Sequence, residues 1–302
     1  MFKNIRSYFQ RTETAAWVLL FPSLLCLTIF LFIPLIIIMS FGLAFFDVTI
    51  FLKQFKFVGL DNFIELLQDD RFWNALGNTV YFTIMVVPCG ILFSLAVALF
   101  VQGNSLFQRF LRVSYYVPVI CSMTAMGIVW AVLMDPTIGM FAFWIRQLGF
   151  ENVQLLKDPN LAMPLIAAMT IWKTFGQNMI ILVAGLQAIP DEYYDASMID
   201  GANKWKQFFH ITLPSLIPTL GFCVTTSTIS SFMVFDQTYV MTRGGPLFRT
   251  ETLAQYVYTR GFVISPFRLG YASSVAFVLF IVIAAISIAM YYFFTKKETE
   301  GL

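Results

Sequence analysis

Long apolar stretches alternate with shorter polar connectors along most of the chain. A helix needs about 20 consecutive, mostly apolar residues to span a membrane. Six windows meet that length, namely residues 17–41, 76–101, 113–134, 161–186, 215–240 and 269–294. The pattern predicts an all-α membrane protein with six transmembrane helices.

The first window follows three basic residues, as the hydrophobic part of a signal peptide does. These residues are Lys3, Arg6 and Arg11. The hydrophobic part of a signal peptide is only about 7–15 residues long and is followed by a small-residue cleavage site. The window is longer, and no such site follows it. We therefore interpret it as a retained first span.

The connectors carry weaker structural signals. Asn62 and Glu65 have the spacing of a capping box, which predicts a short helix after Asn62. Connector 102–112 is short and basic, as in a cytoplasmic turn. Segment 135–160 contains prolines and glycines, and predicts an irregular outer loop with one helix around GMFAFWIRQLG. Segment 241–268 opens on a Gly-Gly-Pro turn signal.

Composition supports a membrane protein and excludes several functions. Hydrophobic residues make up 59% of the 302 residues and charged residues 12%, and the mean hydropathy is +0.77. Soluble domains carry about 25% charged residues. The one histidine, His210, argues against a histidine-based metal centre or catalytic triad. All four cysteines lie in apolar windows, where a free cysteine packs as a small hydrophobe. They are Cys26, Cys89, Cys121 and Cys223.

Charge narrows the function but does not fix the orientation. Lys and Arg divide equally between the two sets of connectors. The inner connectors are shorter, so the density of positive charge gives a weak preference for cytoplasmic termini under the positive-inside rule. The windows contain one cation, Lys173, and one carboxylate, Asp236. A relay of these two alone would be a poor basis for ion coupling. We expect a structural cap or gate contact for Asp236.

An ATP-driven transporter is the main alternative to an ion-coupled carrier. A P-loop ends in Gly-Lys followed by Ser or Thr, and no glycine in this chain is followed by lysine. Any ATPase must therefore be another polypeptide. A membrane enzyme is a third class, but the chain has no nucleophile–base or metal-ligand pattern that supports it.

The connector at 187–214 predicts a helix, a glycine and a second helix. Pro190 suits a first helical turn, and the acidic residues after it suit the positive end of the helix. Gly201 is the natural stop. The second helix would place Trp205, Phe208 and Phe209 on one side. Two interpretations remain open from these residues alone. The two helices form either a rigid projection or an amphipathic pair that lies on the lipid surface.

This connector resembles the cytoplasmic signature of binding-protein-dependent ABC importer permeases. That signature is E-A-A, three residues, a glycine, nine residues and I-x-L-P. It is matched in spacing by Asp195, Ala196, Ser197, Gly201, Ile211, Leu213 and Pro214. Aspartate replaces the usual glutamate at 195, and serine replaces the usual alanine at 197. Asp200 and Ala202 are similar to the sugar-importer version.

The resemblance extends to other segments of the maltose, lactose and glycerol-3-phosphate branch. They are FVGLDNF at 57–63, IWKTFGQN at 171–178, LQAIPDEYYDAS at 186–197 and GGP at 244–246. The resemblance implies the type I importer permease fold with both termini cytoplasmic. It also implies four partners, which are a second similar permease in a heterodimer, a cytoplasmic ATPase dimer, an extracytoplasmic solute-binding protein and a sugar, expected to be an oligosaccharide.

The same resemblance assigns the parts of the chain. Residues 1–70 would hold the first span and an external loop, 71–295 the permease core, and 296–302 a cytoplasmic tail. No cofactor is expected in this chain, since ATP and Mg²⁺ would bind the partner ATPase. The location would be a bacterial or archaeal cytoplasmic membrane. Contacts to the ATPase are expected from Asp195, Ala196, Ser197, Asp200, Gly201, Ala202, Trp205, Phe208, Ile211, Leu213 and Pro214.

Resemblance also carries sugar-contacting positions to three spans. They are Tyr115, Thr170, Lys173, Thr174, Gln177, Ser227, Ser230 and Ser231. The residues from 170 to 177 recur at helical spacing, so they form one polar face inside an apolar window. Polar faces in lipid point into the bundle or a wet cavity. Hydroxyl and amide groups suit a neutral sugar, but they also serve as hydrogen-bonding contacts between helices, and that alternative stays open.

Overall fold

The computed structural model describes residues 12–42, 44–49, 54–149 and 154–300. Lys3, Arg6 and Arg11 therefore lie outside the described residues. The described chain is almost entirely helical, with one antiparallel hairpin of β1 (Phe46–Thr49) and β2 (Gln54–Phe57). The α-helices are α1 (Thr12–Leu27), α2 (Asp61–Gln68), α3 (Asp70–Val101), α4 (Leu106–Ile120), α5 (Met123–Leu133), α6 (Met140–Gln147), α7 (Ala162–Gln187), α8 (Asp191–Ile199), α9 (Lys204–Gln207), α10 (Leu213–Ser215), α11 (Ile217–Phe232), α12 (Asp236–Thr242), α13 (Leu253–Tyr258) and α14 (Leu269–Glu300). The described residues also form three π-helical segments, Thr28–Gly42, Phe208–Thr212 and Thr259–Val263.

Four of the six predicted windows form helices that run unbroken across a membrane's width. Helices α3, α7 and α14 cover three of these windows. The fourth, 17–41, is covered by α1 together with the π-helical segment that follows it. Within the described residues, four helices are long and apolar enough to cross a membrane. The number rises to six if each of two bent pairs crosses as one span, α4 with α5 and Lys204–Ser215 with α11. The predicted fold class, an all-α membrane protein, is thus confirmed.

The windows 113–134 and 215–240 do not form straight helices in the structure. The first is divided between α4 and α5, which meet at 93°. Cys121 at the break is extended, with ψ 149°, and Ser105 and Gln108 start α4 earlier than expected with a capping box. The second is divided between α11 and α12. Proline cannot donate an amide hydrogen bond, and Pro118 lies in the last turn of α4.

Contacts between residues divide the chain into two compact units. Of the described residues, the first unit comprises those up to 68 and 257–278, and the second those from 69 to 256 and 279–300. In the first unit the predicted capping box is wrong, because helix α2 begins before Asn62. The Asn62 amide instead donates to the carbonyls of Ala44, at 2.7 Å, and Phe46, at 3.3 Å. Glu65 pairs with Arg268, and this carboxylate raises the pKa of the Arg268 guanidinium.

The core of the second unit lies along α3 and α7. One apolar cluster includes Phe82 and Ile166, and another includes Ile91 and Met179. Gly176 permits a very close approach of α7 to α4, because an added Cβ would lie 2.3 Å from the Tyr115 carbonyl oxygen. The two long helices therefore form a scaffold on which the broken spans are packed.

The loop between α12 and α13 is held to the start of α3 by charged and amide groups. Arg71 binds both carboxylate oxygens of Glu251, with Nε–Oε2 at 2.7 Å and Nη2–Oε1 at 2.8 Å. The Asn78 amide donates to the carbonyls of Phe248 and Glu251. The Glu251 side chain is only 2% exposed. A buried carboxylate needs such a partner, so this contact anchors the loop.

Candidate functional site

A polar cavity of about 120 Å³ lies in the second unit, where the two apolar clusters meet. Its lining comes from α3, α5, α7, α11 and α12. The polar lining residues are Thr170, Thr174, Gln177, Asn178, Thr226, Ser227, Ser230, Ser231 and Gln237. Six of the eight predicted sugar-contacting residues thus meet in one cavity, although they come from two different spans. Phe82, Val86 and Met123 supply apolar walls.

Some of these polar groups already have protein partners. Thr170 and Thr174 donate their hydroxyls back to carbonyls of α7. Asn178 Nδ2 donates to Ser227 Oγ at 3.0 Å, which links α7 to α11. This contact is the kind that the alternative of interhelical hydrogen bonding predicts. The face of α7 that lines the cavity therefore makes at least one contact of this interhelical kind.

Three other polar residues of the cavity have side chains available for a ligand. Within the described residues, Gln177, Ser230 and Ser231 make no side-chain hydrogen bond. Gln177 and Ser230 are exposed. A hydroxyl can donate one hydrogen bond and accept two, and an amide offers two donors and an acceptor. The cavity can therefore exchange hydrogen bonds with hydroxyl groups of a ligand or with water.

The other two predicted residues do not line the cavity. The Lys173 ammonium is buried and donates to the Val119 carbonyl at 3.2 Å. Tyr115 packs its ring against Phe175, with centroids 5.8 Å apart. Asp236 lies in the first turn of α12, where a carboxylate suits the positive end of a helix.

The sequence prediction missed eight of the fourteen lining residues, among them Asn178, Thr226, Gln237 and Met123. Asn178 follows Gln177 directly, so its polar character was visible within the same window. Gln237 donates to Thr170 Oγ1 at 3.4 Å and reaches the cavity only because the fifth window breaks before α12. The apolar window alone does not show where this break falls, so it could not place Gln237 there.

A second candidate region is the connector between α7 and α11, which we call the signature loop (187–214). Helix α8 ends at Ile199, and Gly201, the predicted stop, follows its C-cap with φ +74°. The amide of Ala202 donates to the carbonyl of Ser197 at 2.9 Å, and that of Gly201 to Met198 at 3.1 Å. This pair of hydrogen bonds is the Schellman motif. The left-handed backbone at Gly201 therefore sets the direction in which the second helix leaves.

Side chains fix the two halves of the signature loop to each other. Gln207 Nε2 donates to Ser197 Oγ at 2.9 Å, and Ser197 donates to the Tyr194 carbonyl at 2.7 Å. The hydroxyls of Tyr194 and Thr212 share a hydrogen bond of 2.9 Å. Serine at the position where alanine is usual in the signature thus supplies one of these links. The loop has a defined internal structure.

The exposed side of the signature loop differs in one respect from the prediction. Trp205 and Phe209 stack on each other with centroids 6.3 Å apart and are exposed, but Phe208 packs against the apolar cluster around Met179. Beginning at Phe208 the backbone is π-helical, which has more residues per turn than an α-helix. Trp205 and Phe209 therefore lie on the same side of the loop, and Phe208 lies on another.

The remaining signature residues divide between the exposed and packed sides. Asp195, Ala196 and Asp200 are exposed, whereas Ile211 packs against the apolar cluster. Ala202 and Leu213 are half-buried, and Pro214 is exposed. Helical backbone continues from Lys204 through Pro214 to Ser215. It then meets α11 at 62°, because the chain bends at Leu216.

Residues 67–299 match a protein family described as the binding-protein-dependent transport system inner membrane component. The chain is 34% identical over 225 residues to the sulfoquinovosyl glycerol transport system permease protein SmoG of Agrobacterium fabrum, covering 74% of this chain and 72% of that protein. It is 31% identical over 285 residues to the lactose transport system permease protein LacF of Rhizobium radiobacter, covering 93% and 94%.

A solved structure has the same fold. It is a bacterial alginate ABC transporter in complex with an alginate pentasaccharide-bound periplasmic protein. One of its chains matches with a TM-score of 0.76 at 22% identity, over 97% of this chain and 95% of that chain. At this identity the likeness concerns the fold, which extends along almost the whole chain.

Proposed function

This chain belongs to the family of binding-protein-dependent transport system inner membrane components, and from that premise we propose that it is one half of the pore of an ATP-driven sugar importer. It is a multi-pass membrane protein with curated relatives that are named as sugar transport permeases. In the proposal a second, similar permease completes the pore. An extracytoplasmic binding protein delivers the sugar, expected to be an oligosaccharide, and a separate ATPase dimer supplies the energy.

The single observation that carries the proposal is the polar cavity within the apolar bundle. Polar groups in a membrane interior are costly unless they serve a partner or a wet passage. Gln177, Ser230 and Ser231 present hydrogen-bonding groups without protein partners there, among the residues that the structure describes. A site that receives sugar from a binding protein needs only weak contacts, and a typical net hydrogen bond contributes about 0.5–1.5 kcal/mol.

The signature loop supports the proposed coupling to the ATPase. Its Schellman motif and the Ser197–Gln207 contact make it a defined structure, while Trp205 and Phe209 remain exposed. Aromatic side chains of this kind are enriched at protein interfaces. In the proposal this loop is cytoplasmic and contacts the ATPase, which also places both termini in the cytoplasm.

The cavity gives little support to an ion-coupled carrier, the alternative that the sequence left open. Among the described residues that line it, none has an ionisable carboxylate or imidazole. Carriers coupled to protons usually place such groups along the pathway. The proposal therefore assigns the driving force to ATP hydrolysis on another polypeptide.

The test is uptake by the assembled transporter in proteoliposomes. We expect ATP-dependent sugar uptake only when this chain, its partner permease, the ATPase and the binding protein are all present. Gln177→Ala should lower uptake per assembled complex by roughly 2- to 13-fold, the equivalent of one hydrogen bond. Ser231→Leu, which adds bulk, should lower it further.

Assembly with the ATPase is the control for these variants. If the cavity residues act only as contacts between helices, assembly or stability fails first, and uptake per complex stays unchanged. Unchanged uptake per complex in both variants would remove these residues from the proposed site. ATP hydrolysis by this chain alone would contradict the proposal as a whole.

A further inference from the structure

Lys173 is a buried cation beside the cavity, and its environment is unlike that of the other residues on its helix face. Thr170, Thr174 and Gln177 line the cavity, but Lys173 Nζ is directed to the Val119 carbonyl on α4. Its residue is 7% exposed. A buried ammonium is costly unless it is hydrogen-bonded. The position of that acceptor therefore matters for what Lys173 does.

Val119 lies in the last turn of α4, immediately before the 93° break. In a continuous helix its carbonyl would accept from the amide four residues later, which belongs to Met123. The chain turns away at Cys121 and Ser122, and Met123 begins α5 instead. A cation near the carbonyl end of a helix is stabilising. Lys173 thus supplies a charged donor where the break removes the main-chain donor.

The break determines one wall of the cavity. Met123, the first residue of α5, lines it and also packs against the apolar cluster around Phe82. Close to Lys173 on α7, Gly176 brings α4 into contact with α7. The two contacts fix the end of α4 on α7, so they also fix where α5 starts.

The charged group of Lys173 consequently binds a main-chain carbonyl of α4 and does not line the cavity. Among the described residues, no charged side chain lines the cavity, whose polar groups are hydroxyls and amides. Such groups match the hydroxyls of an uncharged sugar, whereas a carboxylate, sulfonate or phosphate would enter without a counter-charge. Burial of an unpaired ion is strongly unfavourable.

We propose that Lys173 is a positioning residue that caps α4 and holds the α4–α5 break, and that it thereby leaves a charge-free cavity selective for uncharged sugars. This inference rests on the proposed function, since it concerns the same cavity. It differs from the sequence prediction, in which Lys173 would contact the substrate. The two roles predict different electrostatics at Met123.

The experiment measures that electrostatics with thiol reagents in the assembled transporter. The four native cysteines are replaced by alanine, and Met123→Cys is introduced. An anionic sulfonatoethyl and a cationic trimethylammonioethyl methanethiosulfonate are compared, each corrected for its reactivity with a free thiol. We expect the two corrected rates to agree within about threefold. A cation facing the cavity within a few ångströms would favour the anionic reagent by roughly tenfold or more.

Lys173→Met and Lys173→Arg then separate positioning from simple packing. Methionine keeps much of the volume but loses the donor, so the rates of both reagents with the introduced thiol should change by a similar factor, and uptake of a neutral sugar should fall. Arginine keeps the charged donor and should restore both. An anionic preference that Lys173→Met abolishes would overturn the proposal, and so would wild-type rates and uptake in Lys173→Met.

Failure of this inference can be told apart from failure of the proposed function. A strong anionic preference of the introduced thiol, with intact ATP-dependent sugar uptake, would refute only the role of Lys173 and the selectivity for uncharged sugars. Absence of ATP-dependent uptake in the fully assembled wild-type transporter would refute the proposed function, whatever the reagent rates.

Discussion

Replacing Gly201 tests whether the shape of the signature loop transmits the work of the ATPase. The glycine has φ +74°, and a Cβ added there would meet no atom within 4 Å. Any effect of alanine is therefore due to backbone conformation and not to a clash. The left-handed region costs an L-residue roughly 1–2 kcal/mol. The ratio of the native loop conformer to its alternatives should then fall by about 5- to 30-fold.

The order of three variants follows from the same reasoning. Gly201→Asn should be the mildest, because asparagine enters the left-handed region most readily after glycine. Gly201→Ala should be intermediate. Its stimulated ATPase activity should fall by no more than the roughly 5- to 30-fold change in the ratio of loop conformers. Gly201→Val should be the most damaging, since a β-branched residue strongly disfavours positive φ. The assay is ATP hydrolysis stimulated by the sugar-loaded binding protein, expressed per assembled complex.

Gly149 provides a matched control. It also has positive φ, at +95°, and an added Cβ would also meet nothing within 4 Å, but it lies outside the signature loop. Gly149→Ala should carry a similar backbone cost without affecting coupling. Full stimulated activity in Gly201→Val, or an equal loss in Gly149→Ala, would refute the idea that the loop must keep its native angle.

Three further changes test the packing that supports both sites. Gly176→Ala should destabilise the chain by about 1–3 kcal/mol or more through overpacking, because its Cβ would lie 2.3 Å from a main-chain oxygen of α4. Gly90→Ala is the control: the atom nearest to its Cβ is 3.9 Å away, so its thermal unfolding temperature should match that of the wild type. Equal unfolding temperatures for the two variants would contradict this prediction. Arg71→Met should cost about 3–5 kcal/mol by leaving the Glu251 carboxylate buried and unpaired, and adding Glu251→Leu should recover most of it; a single variant as stable as wild type would show that the pair is not needed. Ser197→Ala should cost about 0.5–1.5 kcal/mol and lower stimulated ATPase activity slightly, and a loss as large as that of Gly201→Val would be inconsistent with a single hydrogen bond.

The sequence alone determined most of the membrane architecture and the centre of the signature loop. Apolar windows are read directly from composition because lipid accepts little else over a span's length. The stop of α8 at Gly201 could be predicted because a left-handed residue there is a local backbone requirement, which glycine satisfies at no steric cost. The common face of Thr170, Thr174 and Gln177 followed from helical periodicity.

Only the tertiary structure decided where the spans break and where Lys173 points. Helical periodicity assumes a straight helix, so it could not anticipate the 93° turn at Cys121 or the arrival of Gln237 in the cavity. The Lys173 ammonium is on a flexible stem, and its direction depends on an acceptor 54 residues earlier, the Val119 carbonyl. That acceptor is available because α4 ends at Ile120, and only the packing of α7 against α4 brings Lys173 to it.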